Sequence, residues 1–382
     1  MASEIDQLVF KFSVNSPLFL EHPLLLNWGF STTALVTALD LSTNERLTRS
    51  LKQRGMTLRE HLHQCGFNPN VKIMADTGIF QLEARKAENG IYETDDPMLH
   101  FSAEEILENY QLIDPDFVVA PDEIIYWNES IRRAEGKIEQ NIRNLERTLD
   151  LFPRDKVIAG IQGTNTHQVR TATNAIAELK VTKAARGGLI PLIRSNQSLY
   201  REMLHLSEHL ARKAGVEHLH YFGLPNIRTL KDCFIDNSYD SLDTSVLYHK
   251  TAQRKYLVDK GFYKSVRGAW LERCNCPGCQ LMLSKRHRTG SLDFVIGLFV
   301  HNCLALRQVL GGLFEDKHLF ARLPYFTRGK ELVPTYNEQF SPSQGFTSAL
   351  AMFSDTQPTY DTLSPLKSST DEPRREKLHF RR

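Results

Sequence analysis

Short apolar runs alternate with longer amphipathic segments along most of the chain. The runs that resemble buried strands are 33–39, 71–75, 116–121, 157–161 and 218–222, and the segment 185–193 carries Gly187-Gly-Leu-Ile190. The segments with apolar residues at helical spacing are 103–113, 131–151, 167–179 and 196–215. This alternation predicts a parallel α/β architecture. Polar residues repeat at the predicted strand ends, which favours a closed (β/α)8 TIM barrel over an open sheet.

The last part of the chain departs from this rhythm. Residues 265–310 hold a cysteine-rich loop followed by an apolar helix, and we predict a zinc-binding insertion there, near the C-terminal end of a barrel that spans residues 1–340. Residues 341–382 are rich in proline, serine, threonine and mixed charge. Such a segment buries too little apolar surface to offset its ordering entropy. We therefore predict a disordered, flexible tail.

The cysteine-rich loop has the spacing of a metal knuckle. Cys274, Cys276 and Cys279 form a C-x-C-x-x-C pattern, and His301 follows on the predicted helix 291–310. Three thiolates and one imidazole complete the closed tetrahedral shell of a structural Zn²⁺ site. The alternative is a set of buried or disulfide-prone cysteines beside a surface histidine, but a disulfide would leave an odd thiol.

Composition narrows the class of protein and its compartment. The 382 residues are 41% hydrophobic and 24% charged, with a net charge of +2, which is ordinary for a globular enzyme and neither requires nor excludes a nucleic-acid partner. Cys65, Cys233 and Cys303 are scattered, which favours a reducing, cytoplasmic location. The apolar run 17–28 is interrupted by charge and proline, so we expect no membrane span there.

Two aspartates follow predicted strands and are candidates for chemistry. Asp76 ends the run 71–75, and Asp240 lies in a short segment after the strand 218–222. At the mouth of one barrel they could meet, and a carboxylate pair suits displacement at an anomeric carbon. Each could equally be a turn or helix cap. Asp243 is an alternative to Asp240, whereas His218 and His220 are expected to be packing or surface residues.

A series of short motifs occurs in a recognisable order. They are Asp76-Thr-Gly-Ile-Phe-Gln81, Ala120-Pro-Asp-Glu123, Gly160-Ile-Gln-Gly163, Gly187-Gly-Leu-Ile190, Tyr221-Phe-Gly-Leu224, Tyr239-Asp-Ser241 and the knuckle with His301-Asn302. In this order, over roughly residues 70–305, the chain resembles the tRNA-guanine transglycosylase family. The resemblance implies a zinc-bearing barrel that swaps guanine in a polynucleotide for a 7-deazaguanine.

The resemblance also assigns roles to single residues. It implies that Asp240 is the nucleophile at C1′, that Asp76 is the general acid/base, and that Phe80 stacks on the base. The groups that bind the guanine edge correspond to Asp122, Gln162 and the backbone at Gly188 and Leu189. Glu123 is the less favoured alternative to Asp122. A carboxylate can accept from N1–H and the exocyclic amine of guanine, while amide donors suit its O6. No redox cofactor is expected.

The choice of polynucleotide depends on departures from the bacterial tRNA enzymes. Those enzymes have a Pro-Thr-Arg step after the nucleophile, whereas this chain has Leu242-Asp-Thr-Ser-Val246. The compact length and the Asp240-Ser241 step resemble the DNA-modifying branch of the family, so DNA is the preferred partner, alongside the free 7-deazaguanine base. The alternatives are the same exchange on tRNA and a non-catalytic nucleic-acid-binding subunit. A homodimer or helper proteins are further expected partners.

Overall fold

Eight parallel strands close into a barrel in chain order. The computed structural model describes residues 5–79, 101–126, 129–223, 226–258, 263–265, 274–284 and 291–315. The barrel strands are β1 (Leu8–Lys11), β2 (Thr33–Thr37), β3 (Lys72–Asp76), β4 (Phe117–Val119), β5 (Val157–Ile161), β6 (Lys183–Arg186), β7 (His218–Tyr221) and β8 (Ser241–Thr244). The β1–β8 pairing, with Val9 opposite Asp243, closes the ring. The predicted (β/α)8 barrel is confirmed.

Helices follow most strands and cover the outside of the barrel. In chain order they are α1 (Pro17–Glu21), α2 (Pro23–Asn27), α3 (Ala38–Thr43), α4 (Glu45–Arg54), α5 (Leu58–Gln64), α6 (Ala103–Ile113), α7 (Ile131–Leu151), α8 (Thr166–Glu178), α9 (Ile190–Ser195), α10 (Gln197–Lys213), α11 (Arg228–Phe234), α12 (Val246–Ala252), α13 (Pro277–Ser284) and α14 (Leu292–Glu315). A 3-10 turn, Arg154–Lys156, precedes β5.

Side-chain alternation along the strands separates two cores. Inward residues form one small apolar cluster inside the barrel, namely Ile5, Val9, Leu35, Met74, Phe117, Val119, Ile158 and Ala185. The residues between them in sequence point outward and join the main core against the helices. Any inward residue near the carboxyl end of a strand therefore lies at the barrel mouth, above the apolar filling.

Capping side chains explain where several helices begin. Thr57 and Ser102 each begin a helix with a capping box, in which the hydroxyl accepts from the backbone of the third helical residue and Glu60 or Glu105 reaches back. The Ser130 side chain caps α7. The Tyr110 hydroxyl on α6 donates to the Val119 carbonyl at 2.8 Å, which ties this helix to β4.

The antiparallel pair β9 (Lys255–Leu257) and β10 (Tyr263–Ser265) follows α12. The segment 265–310, predicted to bind zinc, contains α13 and most of α14. Helix α14 is long and apolar enough to cross a membrane, but 78% of its most apolar window is buried inside the structure. Phe299 on α14 packs against Phe19, Phe30 and Tyr248. The apolar character of α14 is therefore explained by its packing against the barrel.

Some predicted details are wrong and others lie outside the described residues. Strand β1 was not predicted, and β6 ends at Arg186, directly before the Gly187-Gly-Leu-Ile190 segment that leads into α9. Strand β8 begins at Ser241, so Asp240 precedes a strand where it was expected to follow one. The tail 341–382 falls outside the described residues. The domain limit at residue 340 stays a prediction.

Candidate functional site

Asp76 lies at the carboxyl end of β3, half-buried in the barrel mouth. Its Oδ2 accepts from the Gly78 amide at 3.1 Å. Gly78 has a φ of +81°, and a Cβ there would lie 2.8 Å from Leu39 Cβ, so this turn requires glycine. Burial raises the pKa of Asp76 to about 6, and the charge of Asp243 acts in the same direction. A carboxyl with such a pKa can both give and take a proton near neutral pH.

Asp243 is the second carboxylate at this mouth. It lies on β8 beside the inward Val9, and its Oδ1 accepts from the Gly223 amide at 2.7 Å. His220 Nε2 lies 3.5 Å from the same oxygen. Only 15% of the side-chain surface of Asp243 is exposed. Asp76 and Asp243 are therefore the pair of carboxylates that the fold brings together.

Asp240 lies elsewhere, and its expected convergence with Asp76 is wrong. It precedes β8 at the amino end of the barrel, where its Oδ2 accepts from the Leu219 amide at 2.7 Å. The same oxygen accepts from Arg212 Nη2 on the outer helix α10, also at 2.7 Å. An aspartate three residues before Asp243 points to the opposite face of the strand. Asp240 therefore extends the β7–β8 ladder and anchors α10.

Asp122 and Gln162 form a buried pair beside Asp76. Gln162 Nε2 donates to Asp122 Oδ2 at 2.6 Å, and both residues are nearly inaccessible to solvent. Burial raises the pKa of Asp122 to about 7, the Gln162 hydrogen bond opposes this shift, and the charge of Asp76 adds to it. Gln162 Oε1 has no hydrogen-bond partner among the described residues. Glu123 is exposed, and its amide is held by Asn141, so Asp122 is the inward carboxylate of the two.

Glycines leave the space around this pair. A Cβ at Gly187 would overlap Gln162 Nε2, and one at Gly188, which has a φ of +73°, would lie 2.7 Å from Gln162 Oε1. Gly160 leaves similar room for Asp122. Gly188 and the buried Leu189 thus follow β6 directly beside Gln162. Phe80, the predicted stacking residue, lies outside the described residues.

Arg186 fixes the loops that form this region, a role that the sequence did not indicate. It ends β6 and is fully buried. Its guanidinium donates to the carbonyls of Ile161, at 2.9 Å, and of Gly163 and Gly187. Burial lowers the pKa of Arg186 to about 10, so it remains a cation at neutral pH. It therefore ties the loop after β5 to the loop after β6.

The four predicted metal ligands converge. The ligand atoms of Cys274, Cys276, Cys279 and His301 all lie within 4.8 Å of one another. The three Sγ atoms are 3.6, 3.5 and 3.4 Å from His301 Nδ1. Bonds of about 2.3 Å to sulfur and 2.0–2.1 Å to nitrogen in a tetrahedron place sulfur about 3.5 Å from nitrogen. The cluster therefore has the donor set and spacing of a zinc site.

Neighbouring groups orient the histidine of this cluster. His301 Nε2 lies 2.8 Å from the Leu257 carbonyl, which leaves Nδ1 free as the metal-facing nitrogen. The Tyr256 ring stacks on the imidazole with centroids 3.8 Å apart. Gly278 and Gly297 let α13 and α14 cross closely, since a Cβ at Gly297 would lie 2.5 Å from the Gly278 carbonyl. The cluster thus joins β9, α13 and α14.

Comparison with known proteins agrees with this geometry. The family model for queuine tRNA-ribosyltransferase matches residues 38–312, which is most of the chain. The chain belongs to this family. No match was found among curated proteins. Membership in the queuine tRNA-ribosyltransferase family supports a guanine transglycosylase activity, a pentosyl transfer, on a nucleic acid and a free base.

The matched range includes every described element of the two sites. It begins at α3, before Asp76, and ends within α14, beyond His301. The family match and the barrel-mouth carboxylates therefore concern the same part of the molecule.

Proposed function

We propose that this protein replaces guanine in a polynucleotide with a 7-deazaguanine base through a covalent aspartyl-glycosyl intermediate, with DNA as the preferred polymer. The observation that carries the proposal is the grouping of Asp76, Asp243 and Asp122 at one barrel mouth. The charge of Asp243 raises the pKa of Asp76, and the charge of Asp76 raises the pKa of Asp122. Three interacting carboxyls at a carboxyl-end mouth are typical of a catalytic site.

Asp243 takes the role of nucleophile in this scheme, in place of Asp240. A carboxylate oxygen of Asp243 attacks C1′ of the sugar, and the bond from C1′ to guanine N9 breaks. Protonated Asp76 gives its proton to the departing guanine. The incoming base then gives its N9 proton to the Asp76 carboxylate, its N9 attacks C1′, and the ester to Asp243 breaks. Two inversions preserve the configuration at C1′.

Asp122 and Gln162 recognise the base. The Asp122 carboxylate accepts from guanine N1–H and the exocyclic amine, and the second amide hydrogen of Gln162 is directed to O6, with backbone donors of Gly188 and Leu189 nearby. An adenine offers the wrong donor pattern to this pair. The target nucleotide must leave its stack, because the mouth encloses both the base and C1′.

Zinc takes a structural part in this proposal. The four-ligand cluster leaves no open position for substrate once a tetrahedral ion is bound, and it joins elements at the edge of the barrel. Bound Zn²⁺ would hold β9 and α13 against α14. None of the catalytic steps requires the metal.

The preference for DNA rests on a departure in the sequence. After Asp243 the chain continues Thr244-Ser-Val-Leu247, so the Pro-Thr-Arg step of the bacterial tRNA enzymes is absent at this position as well. The cytoplasmic location, a homodimer and helper proteins stay predictions.

Incorporation of labelled guanine tests the proposal. The protein is incubated with radiolabelled guanine and with either duplex DNA or bulk tRNA. We expect label in DNA, none with Asp243→Asn, and label comparable to wild type with Asp240→Asn. Label in tRNA alone would reject DNA as the polymer. Label in neither polymer would reject exchange by the isolated chain.

A further inference from the structure

Three polar side chains lie inside the barrel below the carboxylates. His218 and His220 on β7 and Ser241 on β8 are 8%, 0% and 0% exposed. Their neighbours inside the barrel include the apolar Val9 and Ile158, and Lys183 lies beside His218 on β6. A polar group buried in such surroundings destabilises the folded protein unless it has a hydrogen-bond partner. The three residues form such a network, and none of them takes part in the reaction steps proposed above.

The network runs in a line toward Asp243. His218 Nε2 and His220 Nδ1 each lie 2.7 Å from Ser241 Oγ. The other ring nitrogen of His220, Nε2, faces Asp243 Oδ1 at 3.5 Å and has no closer partner among the described residues. The order is therefore His218, Ser241, His220, Asp243.

The hydrogens of this line can be assigned from its chemistry. A serine hydroxyl has one hydrogen, so Ser241 donates to one imidazole and accepts from the other. Burial and the neighbouring His220 lower the pKa of His218 to about 4, so His218 is neutral at pH 7. When His218 donates to Ser241 and Ser241 donates to His220 Nδ1, that nitrogen is bare and the ring hydrogen of His220 lies on Nε2. The reverse order would direct a lone pair of His220 at the Asp243 carboxylate, which is repulsive.

We propose that His220 is a positioning residue for Asp243, with its tautomer fixed by Ser241 and His218. Its Nε2–H and the Gly223 amide both serve Asp243 Oδ1, so Oδ2 is the oxygen left to attack C1′. No hydrogen bond to Oδ2 occurs among the described residues. The 3.5 Å separation is compatible with this role, because hydrogen bonds of catalytic groups are often long in free enzymes and tighten in the Michaelis complex. This inference rests on the proposed role of Asp243.

Packing supports the orientation of the His220 ring. Phe222 meets it edge to face, with ring centroids 5.0 Å apart and an angle of 71° between the planes. Ser241 holds the opposite nitrogen. The imidazole is therefore confined on both sides, and its Nε2 is fixed in the direction of Asp243.

Variants of His220 test the proposal kinetically. His220→Leu removes the donor, whereas His220→Gln offers an amide N–H near the position of Nε2. With saturating polynucleotide, we expect His220→Leu to slow formation of the covalent adduct by about 100-fold, which is the loss typical of one positioned donor. The KM for polynucleotide should remain unchanged, and His220→Gln should recover most of the rate. A folded His220→Leu protein that forms the adduct at the wild-type rate would overturn the proposal.

Ser241→Ala covers the case in which His220→Leu does not fold. It leaves His220 in place but removes the group that fixes its tautomer, so we expect slower adduct formation with unchanged KM. Thermal melting and metal content of each variant report whether the fold is intact. Adduct formation at the wild-type rate by folded Ser241→Ala would contradict the role of the network.

A spectroscopic measurement separates this inference from the proposed function. In the full chain labelled with ¹⁵N-histidine, nitrogen NMR shifts distinguish protonated from bare ring nitrogens. We expect a bare His220 Nδ1 with the ring hydrogen on Nε2, and redistribution between the two nitrogens in Ser241→Ala. Hydrogen on Nδ1 would overturn the network. This readout needs no activity, so a protein that exchanges no guanine refutes the proposed function alone.

Discussion

Asp243 on β8 raises the pKa of Asp76 on β3 although β1 and β2 lie between their strands. The interaction therefore crosses the barrel mouth, where both side chains point inward. Burial is the larger cause of the shift. A buried carboxyl of this kind has a stability cost whenever it is ionised, because the folded protein favours its protonated form.

Asp76→Asn should stabilise the protein at high pH. The folded pKa of about 6 exceeds the ordinary value of 3.8, so the destabilisation is absent below 3.8, grows as pH rises, and is complete above about 6. We expect urea denaturation at pH 8 to show a free energy of unfolding about 2–3 kcal/mol above wild type. The gain should shrink below about 1 kcal/mol near pH 4.

Asp150→Asn, on the exposed face of α7, is the control for this change, and it should shift stability little at either pH. Because Asp76 is the proposed general acid/base, the stabilised Asp76→Asn protein should also lose exchange activity. A gain in stability that is equal at pH 4 and pH 8 would contradict the raised pKa.

Asp240, just before β8, and Asp243, on β8, provide a matched pair of variants. Asp243→Asn should lower guanine exchange by more than about 1,000-fold, because it removes the proposed nucleophile. Asp240→Asn should retain exchange but lose about 1–2 kcal/mol of stability, because it weakens the contacts with Arg212 and the Leu219 amide. Exchange assays and urea denaturation of both variants distinguish the nucleophile from the structural aspartate. The reverse pattern would restore Asp240 as the nucleophile.

The difference between these two aspartates shows where the sequence was sufficient and where it was not. Alternating apolar runs and amphipathic helices predicted the barrel, because burial on both faces of parallel strands leaves a strong pattern. The segment around β8 is short and mixed in polarity, so the sequence did not fix where the strand begins. A shift of a few residues moves an aspartate from the outer face at the amino end to the inner face at the mouth.

The zinc ligands could be predicted from the sequence, whereas the role of Arg186 could not. Four ligands with knuckle spacing are expected to converge, because a structural Zn²⁺ ion binds four ligands around one point. Nothing local marks Arg186, since its partners are backbone carbonyls at Ile161 and Gly163, which any residues could supply. Strand β1 was missed for a similar reason. Its four residues gain their partners only from β2 and β8.

Gly187→Ala tests the space around Gln162. The new Cβ would overlap Gln162 Nε2 and push the amide away from Asp122. We expect the KM for the free base to rise about tenfold with little change in melting temperature, as for a lost hydrogen bond to a ligand. Gly136→Ala on α7, where a Cβ meets nothing within 4 Å, is the control. An unchanged KM in Gly187→Ala would remove Gln162 from base recognition.

Base affinity should depend on pH through Asp122. Its pKa of about 7 means that the free site is partly protonated at neutral pH, whereas guanine N1–H requires the carboxylate. Affinity for a free base, measured by calorimetry, should therefore fall as pH decreases below about 7, by up to tenfold per pH unit. Asp122→Asn should bind weakly and without this dependence. A flat profile for the wild-type protein would mean that Asp122 does not bind the base in its ionised form.

Loss of the metal cluster should loosen one edge of the barrel and leave the rest intact. His301 contacts the Leu257 carbonyl and Asn302 accepts from the Leu257 amide at 2.8 Å, so the cluster holds β9 through two neighbouring residues of α14. Cys279→Ser should abolish stoichiometric zinc binding, measured by elemental analysis, and raise amide hydrogen exchange in β9 and α13. Strands β3 to β6 should stay protected because their ladder does not touch the cluster. Cys65→Ser, which changes a thiol outside the cluster, should affect neither measurement. Full zinc binding by Cys279→Ser would refute the four-ligand site.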